Sequence, residues 1–514
     1  MIRRRRLLAV VACCALDLAR SGPVRAQERA PAAPAAHRGE TRALSPGVTV
    51  RNARDVRNGW GVNVPNTPDA AERTAAALAF IGTRWVRLQF DGNTSAGIRA
   101  LQEALLRQGA AEPNLKLQLL LNGYRNGAAL NTWTAQQRWI LDDVLSIRRP
   151  DGRSVLAAIE GPNEVNSGNG GGSRGPNDTL DKTGGQVSTS DNPVANANFV
   201  DWARRLSDFR HQNADALRGV EILSPTILYF FPGDWSRALD VSRYVDFGTF
   251  HYYAGPSGTG GVPSWPPNPD NFARMYRFAQ AGISPGRPLV QSEGGASSHA
   301  DGGYAADGRS GARYQLMQIL DHHAMGGHRY MIYDLFNNPP STKGRATRDP
   351  EDNFGLYYGD WTTPKPAAVA LHNLSDLLSL GNSARDPRNR ADTKAFTPAY
   401  DAAGLKVSGL RDAGSAGHAL VMPKSDGSTI VAIWNEPMID TGAGVSVTPT
   451  ANAIVVAFGS EETYRVYDPT GGGGVADFAA RATTLPIASG TGRSVALTLY
   501  GTPLLIELRS REAP

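Results

Sequence analysis

Two acidic residues are distinguished by where they fall. Glu164 closes the run Ala158-Ile159-Glu160-Gly161-Pro162-Asn163-Glu164, and Glu293 closes Pro288-Leu289-Val290-Gln291-Ser292-Glu293 just ahead of Gly294-Gly295. Each follows an apolar, strand-forming core, whereas most Glu residues lie on solvated surfaces. Two carboxyl groups about 5 to 5.5 Å apart can divide the cleavage of a glycosidic bond with retention: one, protonated, releases the leaving oxygen while the other, ionised, attacks the anomeric carbon. At about 6.5 to 9.5 Å the same pair admits a water and inverts the centre. Either carboxylate alone reads equally well as a surface or capping group, so the chemistry rests on whether the fold brings the two together.

The elements around them suit that task. Eight short apolar runs occur before residue 335: Gly59–Val64, Trp85–Phe90, Leu115–Asn122, Val155–Glu160, Val220–Ser224, Val245–His251, Pro288–Glu293 and Arg329–Asp334. Helix-like stretches separate most of them, among them Pro68–Ile81, Ala96–Gln108, Thr134–Ile147, Asn198–Leu217, Asn271–Ala281 and Arg313–Met325. Eight β runs alternating with helices predict an α/β fold, a (β/α)8 TIM barrel over residues 46–380. Active sites of such barrels lie at the C-terminal ends of the strands, where Glu164 and Glu293 fall, at the ends of the fourth and seventh runs. The connection from Glu164 to Ala195, rich in Gly, Asn, Ser and Asp, far exceeds the usual two to six residues and is expected to be functional. Past Pro364-Lys365-Pro366 and one more helix, the text changes to short alternating segments with Gly-rich turns: Leu405–Leu410, Ala419–Met422, Ser428–Trp434, Ala453–Phe458, Thr463–Tyr467, Ser494–Tyr500 and Leu504–Leu508. These predict a C-terminal antiparallel β-sandwich over 381–514, with residues 48–51 able to pair into it.

The stretches ending in Asn163-Glu164 and Glu293 are where the chain resembles clan A glycoside hydrolases, over residues 55–375. A following sandwich is a common companion of the barrel in families 30, 39 and 79 of that clan. The resemblance implies that Glu164 is the acid/base and Glu293 the nucleophile, and that Asn163 bonds the sugar 2-hydroxyl, a contact that can strengthen in the transition state. It also makes Arg87, in Trp85-Val86-Arg87-Leu88-Gln89, a partner of the nucleophile; an inward-facing Arg needs a partner in any case, and an ion pair elsewhere is the alternative. In Phe250-His251-Tyr252-Tyr253, His251 and Tyr253 are expected to position nucleophile and sugar, Tyr253 by donating a hydrogen bond to ionised Glu293; rim packing is the competing explanation, and the stronger one for Tyr252. Glu160, four residues before Glu164, is expected deeper in the strand as a buried helper. At the eighth run, where many clan members carry Trp as the floor of the sugar site, this chain has Met331-Ile332-Tyr333-Asp334, with Tyr333 as the stand-in.

Sugar rings stack on aromatic faces, which makes Trp235 and Trp265, in Pro/Gly-rich text, candidate substrate contacts, with Trp60, Tyr124, Tyr229, Phe230 and Phe231 behind them. No metal or cofactor is called for. His322, His323 and His328 invite a metal, but the first two are adjacent on a helix and so point apart from each other, and no matching Asp/Glu cluster accompanies them; Asp178, Asp181 and Asp191 lack an EF-hand spacing, and Gly471–Gly474 has no P-loop lysine.

Residues 1–26 have the form of an export signal: four arginines from Arg3 to Arg6, an apolar stretch Leu7–Leu18 and the small-x-small site Val24-Arg25-Ala26. The arginines also suit the twin-arginine route, and a secreted or periplasmic enzyme is expected. Val10-Val11-Ala12-Cys13 is a loose lipoprotein box, so Cys13 is a less favoured lipid anchor. Residues 27–45 read as a flexible leader. The signal holds six Arg and one Asp, which is the whole of the +5 net charge, and both cysteines. The remainder is neutral and free of thiols, which removes bulk-charge support for a nucleic-acid partner and any cysteine chemistry. No run after it is long enough to span a membrane. The expected partner is a poly- or oligosaccharide, cut internally given the long loop and scattered aromatics. A transglycosylase using the same pair, and a non-catalytic glycan-binding barrel, are the alternatives.

Overall fold

Short runs of Val, Ile and Leu pair side by side, and helices cover their outer face. This arrangement is seen in a computed structural model that describes residues 49–65, 68–89, 94–109, 114–121, 133–164, 193–228, 239–253, 269–298, 308–337, 350–379, 404–410, 419–424, 426–436, 451–471 and 486–510. The expected signal (1–26), leader (27–45) and Cys13 lie outside them.

The described chain starts with strand β1 (Thr49–Val50) and helix α1 (Ala53–Asn58). Eight parallel strands follow and close into a barrel: β2 (Trp60–Asn63), β3 (Trp85–Gln89), β4 (Lys116–Leu120), β5 (Leu156–Glu160), β6 (Glu221–Leu228), β7 (Phe247–His251), β8 (Leu289–Gly294) and β9 (Arg329–Ile332), with β9 pairing back onto β2. They correspond one for one to the eight expected runs. The covering helices are α2 (Ala71–Ile81), α3 (Thr94–Arg107), α4 (Trp133–Asp142), α5 (Pro193–Gln212), α6 (Pro269–Ile283), α7 (Gly308–Ala324) and α8 (Pro366–Leu378). Because both faces of the sheet are covered, β2, β8 and β9 are buried at every residue. Helix α1 was not anticipated, although Asn52 caps it by accepting from the Arg54 amide at 2.8 Å and Asp55 sits in its first turn.

After α8 come β10 (Lys406–Ser408), β11 (Ala419–Pro423), β12 (Thr429–Ile433), β13 (Asn452–Tyr467), β14 (Pro486–Leu499) and β15 (Leu504–Ser510). The segments expected at 453–458 and 463–467 are one strand, β13, with a bulge between Ala457 and Glu462. That irregularity bends the strand, so its first half pairs with β10 and its second with β15 on one edge while β14 runs along the other. Among the described residues this region is one seven-stranded, mostly antiparallel sheet that includes β1, which lies parallel to β11 with Thr49 opposite Leu420. The sheet curls around its own core of Val421, Val431, Ile433, Val456, Phe458 and Ile506. The alternate residues Leu420, Met422, Ile430, Ala432, Trp434 and Leu505 join the core of the barrel layer instead. Period-two alternation therefore gives one sheet two apolar faces, and Trp434 completes the joint by donating to Asp321 of α7 at 3.0 Å.

Candidate active site

The barrel interior is polar where it nears its C-terminal mouth. In β2, β3 and β4 the residues Asn63, Arg87 and Gln118 stand in register. Arg87, only 2 % exposed, uses every donor of its guanidinium. Nε and Nη2 hold Glu160 at 2.6 and 3.0 Å, Nη1 holds Glu293 at 2.6 Å and Asn63 at 2.9 Å, and Nη2 also holds Asn163 at 2.8 Å. Both readings of Arg87 are thus realised, since it pairs with Glu293 and with a second, structural acid. Glu160 is fully buried at the end of β5 and accepts further bonds from Gln118 (2.8 Å) and Thr226 (2.6 Å). Burial alone would raise its carboxyl, but the charge and hydrogen bonds of Arg87 outweigh that and hold it below the usual carboxylate range. With its oxygens bound on all sides, Glu160 is a support rather than a reacting group.

Beyond Glu160 the chain leaves the barrel through Gly161-Pro162-Asn163-Glu164. A Cβ on Gly161 would lie 2.7 Å from the Pro225 backbone nitrogen, so the close approach of this turn to β6 requires glycine. Glu164 itself sits at φ 43°, a left-handed conformation that costs a non-glycine residue of order 1–3 kcal/mol and clusters at functional sites. Its side chain is 20 % exposed, against 12 % for Glu293, so it is the more open of the pair.

Glu293 lies opposite His251 in the β7–β8 register. Tyr253 donates to Glu293 Oε2 at 2.7 Å while Arg87 occupies Oε1, so both oxygens face donors and the setting suits a negative charge. Burial, reinforced by the charge of Glu293, pushes the Tyr253 phenol well above its usual range, which keeps it a donor. A Cβ on Gly294 would meet the Gln291 amide at 2.3 Å, so the chain turns here directly against the barrel interior.

His251, fully buried, joins the two acids: Nδ1 is 2.8 Å from Glu164 and 3.4 Å from Glu293, and Nε2 is 3.1 Å from Ser292 Oγ. One carboxylate oxygen of Glu164, one of Glu293 and a His251 nitrogen all lie within 4.8 Å of one another. Such a trio has the reach to hold a metal, but the Arg87 guanidinium bound to Glu293 opposes a second cation there. Tyr333 stands beside the site in an aromatic wall, its ring 6.3 Å from Tyr253 and 5.7 Å from Phe354.

The structure therefore brings together Glu164, Glu293, Asn163, Arg87, His251, Tyr253 and Tyr333. Trp235 and Trp265 lie outside the described residues, as do Tyr124, Tyr229, Phe230, Phe231, Asp178, Asp181 and Asp191. Trp60 is corrected: it is wholly buried in the barrel core, because it faces the helix layer and not the mouth. Tyr252 is packed in the core against Phe272. His322 and His323 are buried within α7, whereas His328 pairs with Glu221 at 3.1 Å. Sequence reasoning missed Ser292, Thr226, Asn63 and Gln118. The inward positions of the strands carried the signal, since polar residues there have no solvent to turn to.

No family model and no curated protein sequence matches the chain. Solved structures do. A monomeric β-xylosidase from Caulobacter crescentus superposes with a TM-score of 0.50 at 13 % identity, covering 88 % of this chain and 96 % of that one. A family 39 glycoside hydrolase from the gut symbiont Bacteroides cellulosilyticus gives 0.49 at 13 % identity, covering 88 % and 82 %. What is shared is the fold, a parallel eight-stranded barrel followed by a β-rich domain.

Proposed function

We propose that this chain is a retaining glycoside hydrolase that cleaves a β-linked poly- or oligosaccharide by double displacement. The observation that carries the proposal is the approach of Glu164 and Glu293 to within 4.8 Å across the barrel mouth, on the retaining side of the two carboxylate geometries. Glu293, faced by Arg87 and Tyr253, is the nucleophile: one of its oxygens attacks the anomeric carbon as Glu164 passes a proton to the departing glycosidic oxygen. The C–O bond breaks and a glycosyl ester forms. Glu164 then takes a proton from water, whose oxygen attacks the same carbon, and the ester bond to Glu293 breaks with net retention. His251 orients Glu164, and Asn163, steered by Arg87, faces the sugar 2-hydroxyl. The long connection after Glu164 favours a groove and internal cleavage, and residues 1–26 favour export.

A panel of aryl β-glycosides and soluble β-glycans tests this, with anomers read by proton NMR and product sizes by chromatography. The expected first product is the β-anomer; release of the α-anomer would refute the mechanism. Glu293→Ala abolishes turnover of every substrate. Glu164→Ala loses turnover of natural glycans but, with an activated aryl glycoside and azide, forms a β-glycosyl azide, since the first step then needs no acid.

A further inference from the structure

Opposite the catalytic mouth, at the N-terminal ends of the barrel strands, lies a cavity of about 570 Å³. Arg84 and Lys116 line it from the starts of β3 and β4, Arg329 from the start of β9, Arg51 and Arg57 from around α1, and Lys424 from the end of β11. Arg54, half-exposed and 3.9 Å from Asp55, adds a seventh cation, and Lys424 lies 3.9 Å from Glu507; the carboxylates on this wall itself, among the described residues, are Asp55 and Glu221. Glu221 is already engaged, by Arg329 at 2.8 Å and His328 at 3.1 Å. Lys116 has no carboxylate within ion-pair distance among the described residues, and its ammonium stands 5.2 Å from the Trp85 ring centre. Burial, then the neighbouring charges of Arg84, Arg149 and Arg329, push Lys116 down to about 8. Burial, then Arg57, pushes Arg84 down to about 9. Like charges gathered out of water are costly unless an anion joins them.

We propose that this cavity is a binding site for a polyvalent oxyanion, a phosphate or sulfate group either free or esterified to a small molecule. Guanidinium groups match the paired oxygens of such anions, and several converge here from different elements around a concave space. The volume lies in the range of small-molecule sites, which leaves room for what an esterified group is attached to. The site sits on the other rim from Glu164 and Glu293 and stands apart from the glycosidase reading.

Isothermal titration of the full chain with sodium phosphate, with sodium sulfate and with glucose 6-phosphate, at ionic strength held constant with sodium chloride, tests the proposal. The expected result is saturable binding of at least one of these and none of glucose, weakened at least about tenfold by Lys116→Gln and by Arg51→Gln. Glucose 6-phosphate binding well above phosphate identifies an ester as the ligand, and equal binding identifies the free anion. Circular dichroism establishes that each variant is folded, and Arg51→Gln serves if Lys116→Gln is not. Glu293→Ala should bind the anion like the unaltered chain. Absence of saturable binding by all three anions, or binding unchanged in the folded variants, overturns the proposal.

Discussion

Arg87 ties one carboxylate that supports the barrel to one that faces the mouth, and its five contacts fix the spacing between them. Removing Glu160 would leave the guanidinium in a dry interior with half its charge compensation gone. Glu160→Ala is therefore expected to lower stability by about 3 to 5 kcal/mol, measured by denaturant unfolding. A loss below about 1 kcal/mol would mean that solvent reaches this layer. The sequence displayed the acids because each ends an apolar run, but it could not display that His251 lies 2.8 Å from Glu164, a pairing across 87 residues that only closure of the barrel creates.

At the scale of elements, β5 and its exit turn decide where Glu164 stands. The turn passes so close to β6 that Gly161→Ala must push Pro225 or the turn itself outward. Because the left-handed backbone of Glu164 is only three residues on, that shift is expected to cost one to two orders of magnitude in kcat with far-ultraviolet circular dichroism unchanged. Steady-state kinetics on an aryl glycoside would detect it; unaltered kcat would show that the turn absorbs the strain locally. The same strands explain what was legible. Runs such as Leu289–Gly294, buried on both faces, announce themselves by composition. In the second sheet the alternation located most strands but hid that 453–458 and 463–467 are continuous, because the bulge between them carries Gly459-Ser460-Glu461, which reads as a turn. Trp60 misled for a related reason: an aromatic residue at a strand start does not reveal which face it takes.

Across the whole molecule, the two rims of the barrel differ in what stabilises them. At the basic rim, burial would raise the Glu221 carboxyl, but the Arg329 charge and the His328 hydrogen bond draw it down to about 2. A carboxyl lowered on folding contributes stability above its unfolded value of 4.5 and loses it as pH falls from there towards 2. The melting temperature should thus decline across that acid window, and Glu221→Gln, less stable at neutral pH, should show a shallower decline. Parallel melting curves for the two proteins would exclude Glu221 as the titrating group.

The pairing of Thr49 with Leu420 joins residues about 370 positions apart. At roughly 5 to 20 residues per second of synthesis, the short strand beside the first barrel element waits on the order of 20 to 70 s for its neighbour to leave the ribosome. The barrel strands are all made within that interval, so the nascent chain can build its barrel first and fasten its leading edge afterwards, like a clasp closed last.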